Sequence, residues 1–217
     1  MAKKITVLAG PNGAGKSSII NLLQTTGLIN CHVVNIDALK INANYLPNDP
    51  LRFQTELNKT IDRKFKELCE DAIANEHNFS FECNLRTEQV KYLSLFESAN
   101  YEINLIFVWL DNIQLSFDRV EKRVKEGGHF IGKESIEENF NTSLKNLDNY
   151  LDSWNSITII DNSQDIDVSN KKDFGLPLLA YIEKGKTLYI SQNRDLQELK
   201  KNIPHIVQSY IQTAMNK

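Results

Sequence analysis

Gly10-Pro11-Asn12-Gly13-Ala14-Gly15-Lys16-Ser17 reads G-x-x-x-x-G-K-S, the spacing of a phosphate-binding P-loop. Upstream, Ile5-Thr6-Val7-Leu8-Ala9 is an apolar run of strand length. Downstream, Ser18-Ile19-Ile20-Asn21-Leu22-Leu23 has the apolar spacing of a helix start. Strand, glycine-rich turn and helix, in that order, are the context the motif needs. Glycines let the backbone fold tightly and turn its N–H groups toward a phosphate. The helix N-terminus adds partial positive charge at the same place. In this pattern Lys16 reaches the β- and γ-phosphates and the Ser17 hydroxyl ligates Mg²⁺. The candidate nucleotide-binding residues are therefore Gly10, Pro11, Asn12, Gly13, Ala14, Gly15, Lys16, Ser17 and Ser18. A glycine-rich turn without a ligand is the bland alternative, and the flanking strand and helix weigh against it.

The bulk composition fits one globular domain. The chain has 217 residues, 41% hydrophobic and 24% charged, enough for a sizeable core. A net charge of −3 weighs against general binding to nucleic acid. Cys31, Cys69 and Cys83 show no C-x-x-C spacing and read as reduced thiols, which together with the absence of a membrane-length apolar run predicts a cytoplasmic protein. His129 has no second His or Cys at metal-ligand spacing.

Along the chain, Cys31 to Ile36 reads as a second strand, followed at once by Asp37. Leu51 to Asn75 is a long amphipathic helix with Leu57, Ile61, Phe65, Leu68 and Ala72 on one face. Asn78 to Phe81 is a third strand delivering Glu82, and Thr87 is placed to cap a helix running to about Ser98. Ile103 to Leu110 has the continuous apolar character of a central parallel strand and ends at Asp111. Two helices follow, Gln114 to Gly127 and Glu134 to Trp154, and then a fifth strand, Ser156 to Ile160, ending at Asp161. Asn162 to Lys172 reads as a long surface loop. Leu176 to Ile182 and Thr187 to Ile190 form a hairpin, and the stretch from Asp195 is helical, with Pro204 breaking it or starting a second helix. The predicted fold is an α/β three-layer P-loop kinase sandwich with a mainly parallel sheet. We place a helical lid over roughly 112–152 and a small C-terminal hairpin plus helix over roughly 176–217, all in one domain.

In such sheets ligands bind beyond the carboxyl ends of the strands, which puts the P-loop, Asp37, Glu82, Asp111 and Asp161 on one rim. Phosphoryl transfer needs positioning, a metal, cations on the γ-phosphate and a group to take the acceptor's proton. Asp37 is the candidate general base; its bland alternative is a helix cap. The second strand is expected to end beside the P-loop strand, which would set Asp37 across a gap from the γ-phosphate. Glu82 is a candidate acceptor ligand, or a Mg²⁺ ligand through water, against the alternative of a solvated loop carboxylate. Arg86, just beyond it, joins Asp37 and Glu82 as a candidate substrate-binding residue. Asp111 reads as a cap of the following helix and Asp161 as an organiser of its loop. Arg119 and Arg123 lie four apart on one helical face, with Phe117, Val120 and Val124 as the packed face. They are candidate lid cations for the transferring phosphate; pairing with Asp118, Glu121 and Glu126 on a solvated helix is the alternative.

These residues together resemble the zeta toxin family, P-loop kinases of bacterial toxin–antitoxin systems. The likeness runs from Lys3 to about Ile190. It rests on the P-loop, on Asp37, on Phe81-Glu82-Cys83-Asn84-Leu85, on Ser143-Leu144-Lys145-Asn146-Leu147 and on Asp161-Asn162-Ser163. It rests most on Arg119-Val120-Glu121-Lys122-Arg123-Val124-Lys125-Glu126-Gly127-Gly128-His129-Phe130-Ile131, which is similar to the R-V-x-x-R-V-x-x-G-G-H-x-I stretch of compact members. The resemblance implies ATP as co-substrate, Mg²⁺, UDP-N-acetylglucosamine as acceptor and an antitoxin as partner. It further implies Asp37 as base, Glu82 as acceptor ligand, and Arg119 or Arg123 as lid cation. After Ile131 the compact members read P-E-E-x-I-x-R-R-Y-x-R-S-L. Here three of those arginine positions are Glu138, Asn139 and Thr142, the tyrosine is Phe140, and Lys133 is the cation that can substitute in part. Two other readings stay open: a different small-molecule kinase, such as an antibiotic phosphotransferase, and a nucleotide-binding interaction module.

Overall fold

The computed structural model describes residues 2–36, 39, 50–86, 90–128, 130–164 and 176–216. Asp37, Thr87 and His129 lie outside the described residues. The strands are β1 (Lys4–Ala9), β2 (Val33–Asn35), β3 (Phe79–Cys83), β4 (Glu102–Trp109), β5 (Ser156–Asp161), β6 (Leu178–Glu183) and β7 (Lys186–Ile190). The helices are α1 (Lys16–Thr25), α2 (Pro50–Ala74), α3 (Leu93–Ser98), α4 (Ile113–Lys125), α5 (Lys133–Asn149), α6 (Leu196–Asn202) and α7 (Pro204–Met215). The described strands form one seven-stranded sheet in the order β2-β3-β1-β4-β5-β6-β7. The first five are parallel and helices flank them, as alternating strand and helix patterns require.

The centre of the sheet is its driest part. On β4 and just beyond, Leu105, Ile106, Phe107, Val108, Trp109 and Leu110 are all buried. Continuous rather than alternating burial is what a parallel strand covered on both faces demands. At the β3 side, aromatic rings knit α2, β3 and α3 together: Phe65 meets Phe81 at 5.0 Å and Phe79 stacks on Phe96 at 5.5 Å.

Three expectations change. The P-loop strand β1 does not neighbour β2, because β3 lies between them. The end of β2 is thus two strand spacings from the P-loop strand, about 10 Å. On α2 the core face takes Cys69 rather than Leu68, which is 37% exposed. Cys69 follows Phe65 by four residues, so it continues the Leu57, Ile61, Phe65 row, whereas Leu68 turns off it. The expected hairpin near the C-terminus is present, and its strand β6 pairs antiparallel with β5 and extends the sheet. Before β5, the helix α5 ends at Asn149, and Leu151–Ser153 form a separate short 3₁₀ turn.

Pro204 starts a helix, as its fixed φ and missing N–H favour at a first turn. The carboxylate that caps α7 comes from another element. Asp148 on α5 is 5% exposed and accepts the backbone N–H groups of His205 at 3.1 Å and Ile206 at 3.0 Å. A negative group at a helix N-terminus satisfies open donors and opposes the helix dipole. Asp148→Ala should destabilise the protein by roughly 1–2 kcal/mol, a drop in Tm of roughly 2–8 °C, with nucleotide affinity unchanged. Thermal unfolding alongside nucleotide titration checks it; an unchanged Tm would show that the cap contributes nothing.

Candidate functional site

The P-loop leaves the end of β1 and enters α1, and two glycines show why no other residue fits. Gly10 has φ of 148° and a Cβ there would lie 2.5 Å from the Val108 carbonyl oxygen. Gly15 caps α1 at φ of 84°, and a Cβ there would lie 2.5 Å from Nδ2 of Asn162. No side chain caps α1, so its first turn is open to an anion.

Each of the loop's carbonyls from Gly10 to Gly15 finds a donor. Lys16 Nζ donates to the carbonyls of Gly10 at 2.7 Å and Pro11 at 3.1 Å. Ser116 Oγ on α4 donates to the Asn12 carbonyl. Arg119 Nη1 lies 3.4 Å from the Gly13 carbonyl, and Asn162 Nδ2 donates to the Ala14 carbonyl at 2.7 Å. The Gly15 carbonyl accepts from Ser18 and Ile19 as α1 begins. Inside the turn Ala14 N–H donates to the Pro11 carbonyl at 3.2 Å, so the backbone that has to meet a phosphate is fixed from both within and without.

Beside the loop, β3 supplies the acidic group. Glu82 sits inside β3 and is 9% exposed, not on a solvated loop. Both of its oxygens accept from Ser17 Oγ, at 2.9 and 3.1 Å, and Asn35 Nδ2 at the end of β2 also donates to it. A serine hydroxyl and a carboxylate at this separation, next to a phosphate cradle, are the hard oxygen ligands that Mg²⁺ takes from a protein. The donor set therefore fits that ion. Two residues on, Asn84 Oδ1 accepts from Lys16 Nζ at 3.0 Å. Arg86 follows, with Nη2 3.2 Å from Glu138 Oε1 and Nη1 3.5 Å from Asn139 Oδ1. Asn139 is 7% exposed and donates to Asn12 Oδ1 at 2.8 Å, so lid helix α5 is tied directly to the P-loop.

The lid arginines part company. Arg119 points inward: beyond Gly13, its Nη2 donates to the Asn162 carbonyl at 2.8 Å and lies 3.5 Å from that of Ser163. It joins α4, the P-loop and the segment after β5. Arg123 is exposed at the far end of α4, beside the tight Gly127-Gly128 turn that closes on its carbonyl. On the same helix Glu121 lies 2.7 Å from Lys125 and Asp118 accepts from Gln114. Lys133 is exposed at the start of α5.

Asp111 and Asp161 reach the rim, but they serve the scaffold. The cap of α4 is Asn112, which accepts from Leu115 N–H at 3.1 Å, and not Asp111. Arg194, between β7 and α6, places Nη1 3.1 Å from Oδ2 of both aspartates. Asp161 Oδ1 also accepts from Ser163 N–H at 2.9 Å and from its hydroxyl, which orders the loop as expected. Sequence reasoning missed Arg194, Asn84, Ser116 and the Asn139–Asn12 bond. Only Asn84 carried a signal, its place at the carboxyl end of a rim strand. Cys69 and Cys83 are buried thiols whose pKa burial pushes up to about 12, so they are packing groups, not nucleophiles.

The sequence model of the family described as "Zeta toxin" matches residues 1–173. An uncharacterised protein of Haemophilus influenzae is 24% identical over 137 residues, covering 63% of this chain and 91% of the relative. A structure from the PezAT chromosomal toxin–antitoxin system of Streptococcus pneumoniae superposes with a TM-score of 0.53 at 15% identity, over 96% of this chain and 87% of that one. The AvrRxo1-ORF1:-ORF2 structure with ATP superposes with a TM-score of 0.56 at 15% identity, over 93% of this chain and 63% of that one. At these identities the structural matches establish the fold.

Arg119→Ala should weaken ATP and ADP alike, by about tenfold or more, because the Gly13 carbonyl of the P-loop and the Asn162 and Ser163 carbonyls after β5 lose a charged donor. Calorimetric titration with both nucleotides checks this. Unchanged ADP affinity with a collapse in turnover would instead place Arg119 on the transferring phosphate.

Proposed function

Because the chain belongs to the zeta toxin family and is therefore a P-loop phosphotransferase, we propose that it moves the γ-phosphate of ATP to a hydroxyl of a small acceptor, UDP-N-acetylglucosamine, with Mg²⁺. The observation that carries this reading is the Ser17–Glu82 pair, set between the phosphate cradle and the acceptor side of the sheet. When bound, Mg²⁺ neutralises charge on the β- and γ-phosphates, and Ser17 and Glu82 would hold it.

The other steps belong to the chain. The open N-terminus of α1 and the glycine-rich loop receive the phosphates. Lys16 now bonds two loop carbonyls and Asn84; on nucleotide binding its ammonium exchanges them for β- and γ-phosphate oxygens. The acceptor hydroxyl lies toward β2, in line with the γ-phosphate. Asp37, two residues past the end of β2, takes its proton. The spacing set by β3 between β1 and β2 leaves room for an acceptor group between base and phosphate. Arg119 holds the loop beyond β5, where the rim can receive the nucleoside.

As a partner we propose an antitoxin protein that blocks this activity; the S. pneumoniae neighbour comes from a toxin–antitoxin system. Among the described residues no helix is long and apolar enough to cross a membrane, and we propose a cytoplasmic site of action on a soluble nucleotide sugar.

Asp37→Asn keeps the shape of the base and removes its basicity. It should bind ATP like the parent and transfer phosphate to UDP-N-acetylglucosamine about 10²-fold more slowly or worse. Its expression should be harmless where the parent arrests growth. Mass spectrometry of the sugar nucleotide after incubation with ATP reads the result. A parent that phosphorylates another small molecule through Asp37 would keep the mechanism and discard this acceptor; one that binds ATP and transfers nothing would leave an interaction module.

A further inference from the structure

We propose that Arg86 is the guanidinium that closes on the transferring γ-phosphate, brought there by the turn after β3 and held ready by Asn139 and Glu138. The inference rests on the phosphotransferase reading and assigns its transition-state cation.

Charge in phosphoryl transfer spreads over the equatorial oxygens of the moving group, and a planar guanidinium matches them better than an ammonium. Lys16 serves the phosphates from the loop, so the second cation has to arrive from the opposite side. Among the described arginine side chains, Arg119 is bonded to carbonyls on the Asn162 side of the loop. Arg194 is bonded to Asp111 and Asp161, and Arg63 and Arg123 are exposed. The inner face of α5 brings no arginine to this edge, where Asn139 and Phe140 stand buried.

Arg86 is on the correct side. In the same segment Glu82 meets Ser17 and Asn84 meets Lys16, so the chain has already passed two groups of the phosphate site when Arg86 begins. The turn between them is unusual. Leu85 has φ of 56°, a left-handed conformation that leucine rarely adopts. It is held there from both sides: its N–H donates to Cys83 Sγ at 3.3 Å and its carbonyl accepts from Asn146 Nδ2 at 2.8 Å. The turn swings Arg86 onto α5, where Asn139 links it to Asn12 of the loop. Asn12 follows directly on Gly10 and Pro11, whose carbonyls hold the Lys16 ammonium. The two cations therefore bracket one edge of the loop, on its acceptor side.

The ion pair of Arg86 with Glu138 suits a waiting position. The Glu138 side chain is 61% exposed and that of Arg86 39%. Such a solvated pair is weak, so a terminal phosphate carrying more charge can displace the carboxylate. Asn139 is the positioning residue, since it touches Arg86 and the loop but presents only an amide.

The test compares ATP with ADP, which differ by the γ-phosphate, in the intact protein. Arg86→Ala should leave ADP affinity within twofold of the parent and lower ATP affinity by about tenfold. Turnover should fall by about 10³-fold or more. Arg86→Lys, which keeps the charge without the fork, should recover only part of both losses. Glu138→Gln should raise ATP affinity severalfold and leave ADP affinity alone, a change that a purely structural ion pair would not give. An Arg86→Ala protein that unfolds within a few degrees of the parent yet keeps its preference for ATP over ADP would overturn the inference. So would one whose only defect is a raised KM for the acceptor. A parent that binds both nucleotides but transfers phosphate to nothing would remove the proposed function, and the ATP-to-ADP ratio in Arg86→Ala would still decide the placement.

Discussion

The site depends on the anchoring of the P-loop carbonyls. A turn can aim its N–H groups at a phosphate only if its C=O groups point away, and buried carbonyls must find donors. Here the donors come from well-separated parts of the chain: Lys16 within the loop, Ser116 and Arg119 on α4, and Asn162 after β5. Gly10 and Gly15 are required by the same geometry, since a Cβ at either would strike the Val108 carbonyl or Asn162. The cradle is thus a property of the assembled sheet and lid, and cannot preform in the isolated strand–loop–helix segment.

That dependence gives the lid a second task. Through Ser116, Arg119 and Asn139, helices α4 and α5 hold the loop before any nucleotide arrives. The far end of the sheet supports the same rim: Arg194 clasps Asp111 and Asp161, and Asp148 caps α7. The hairpin and last helices therefore complete the scaffold that fixes the ends of β4 and β5, where the loop containing Asn162 departs.

Much of this was legible in the sequence. Gly10 to Ser17 announced the cradle, and the apolar runs at Ile5 to Ala9, Ile103 to Leu110 and Ser156 to Ile160 fell where strands are found. The strand-terminal position of Glu82 marked a rim carboxylate, which the structure joins to Ser17. Strand order was not legible, because a hydrophobic period specifies a strand and says nothing of its neighbours. That is why β3 was not expected between β1 and β2. Polar residues on the buried face of a lid helix were equally opaque. Asn139 looks like a loss of charge in the sequence, and only the fold shows its amide bonded to Asn12. Asp111 and Asp161 were placed on the right rim, but their partner Arg194 lies in a distant segment that no local pattern connects to them.

The central claim is that this loop delivers the γ-phosphate of ATP to a hydroxyl. Its most direct measurement follows the label from γ-labelled ATP into product, with the parent and Lys16→Ala run side by side on UDP-N-acetylglucosamine and a panel of small hydroxyl compounds. The account predicts label on an acceptor hydroxyl with the parent, none above background with Lys16→Ala, and a folded protein in both cases. Equal transfer by the two proteins, or tight ATP binding by the parent with no label leaving the nucleotide for any acceptor, would contradict it.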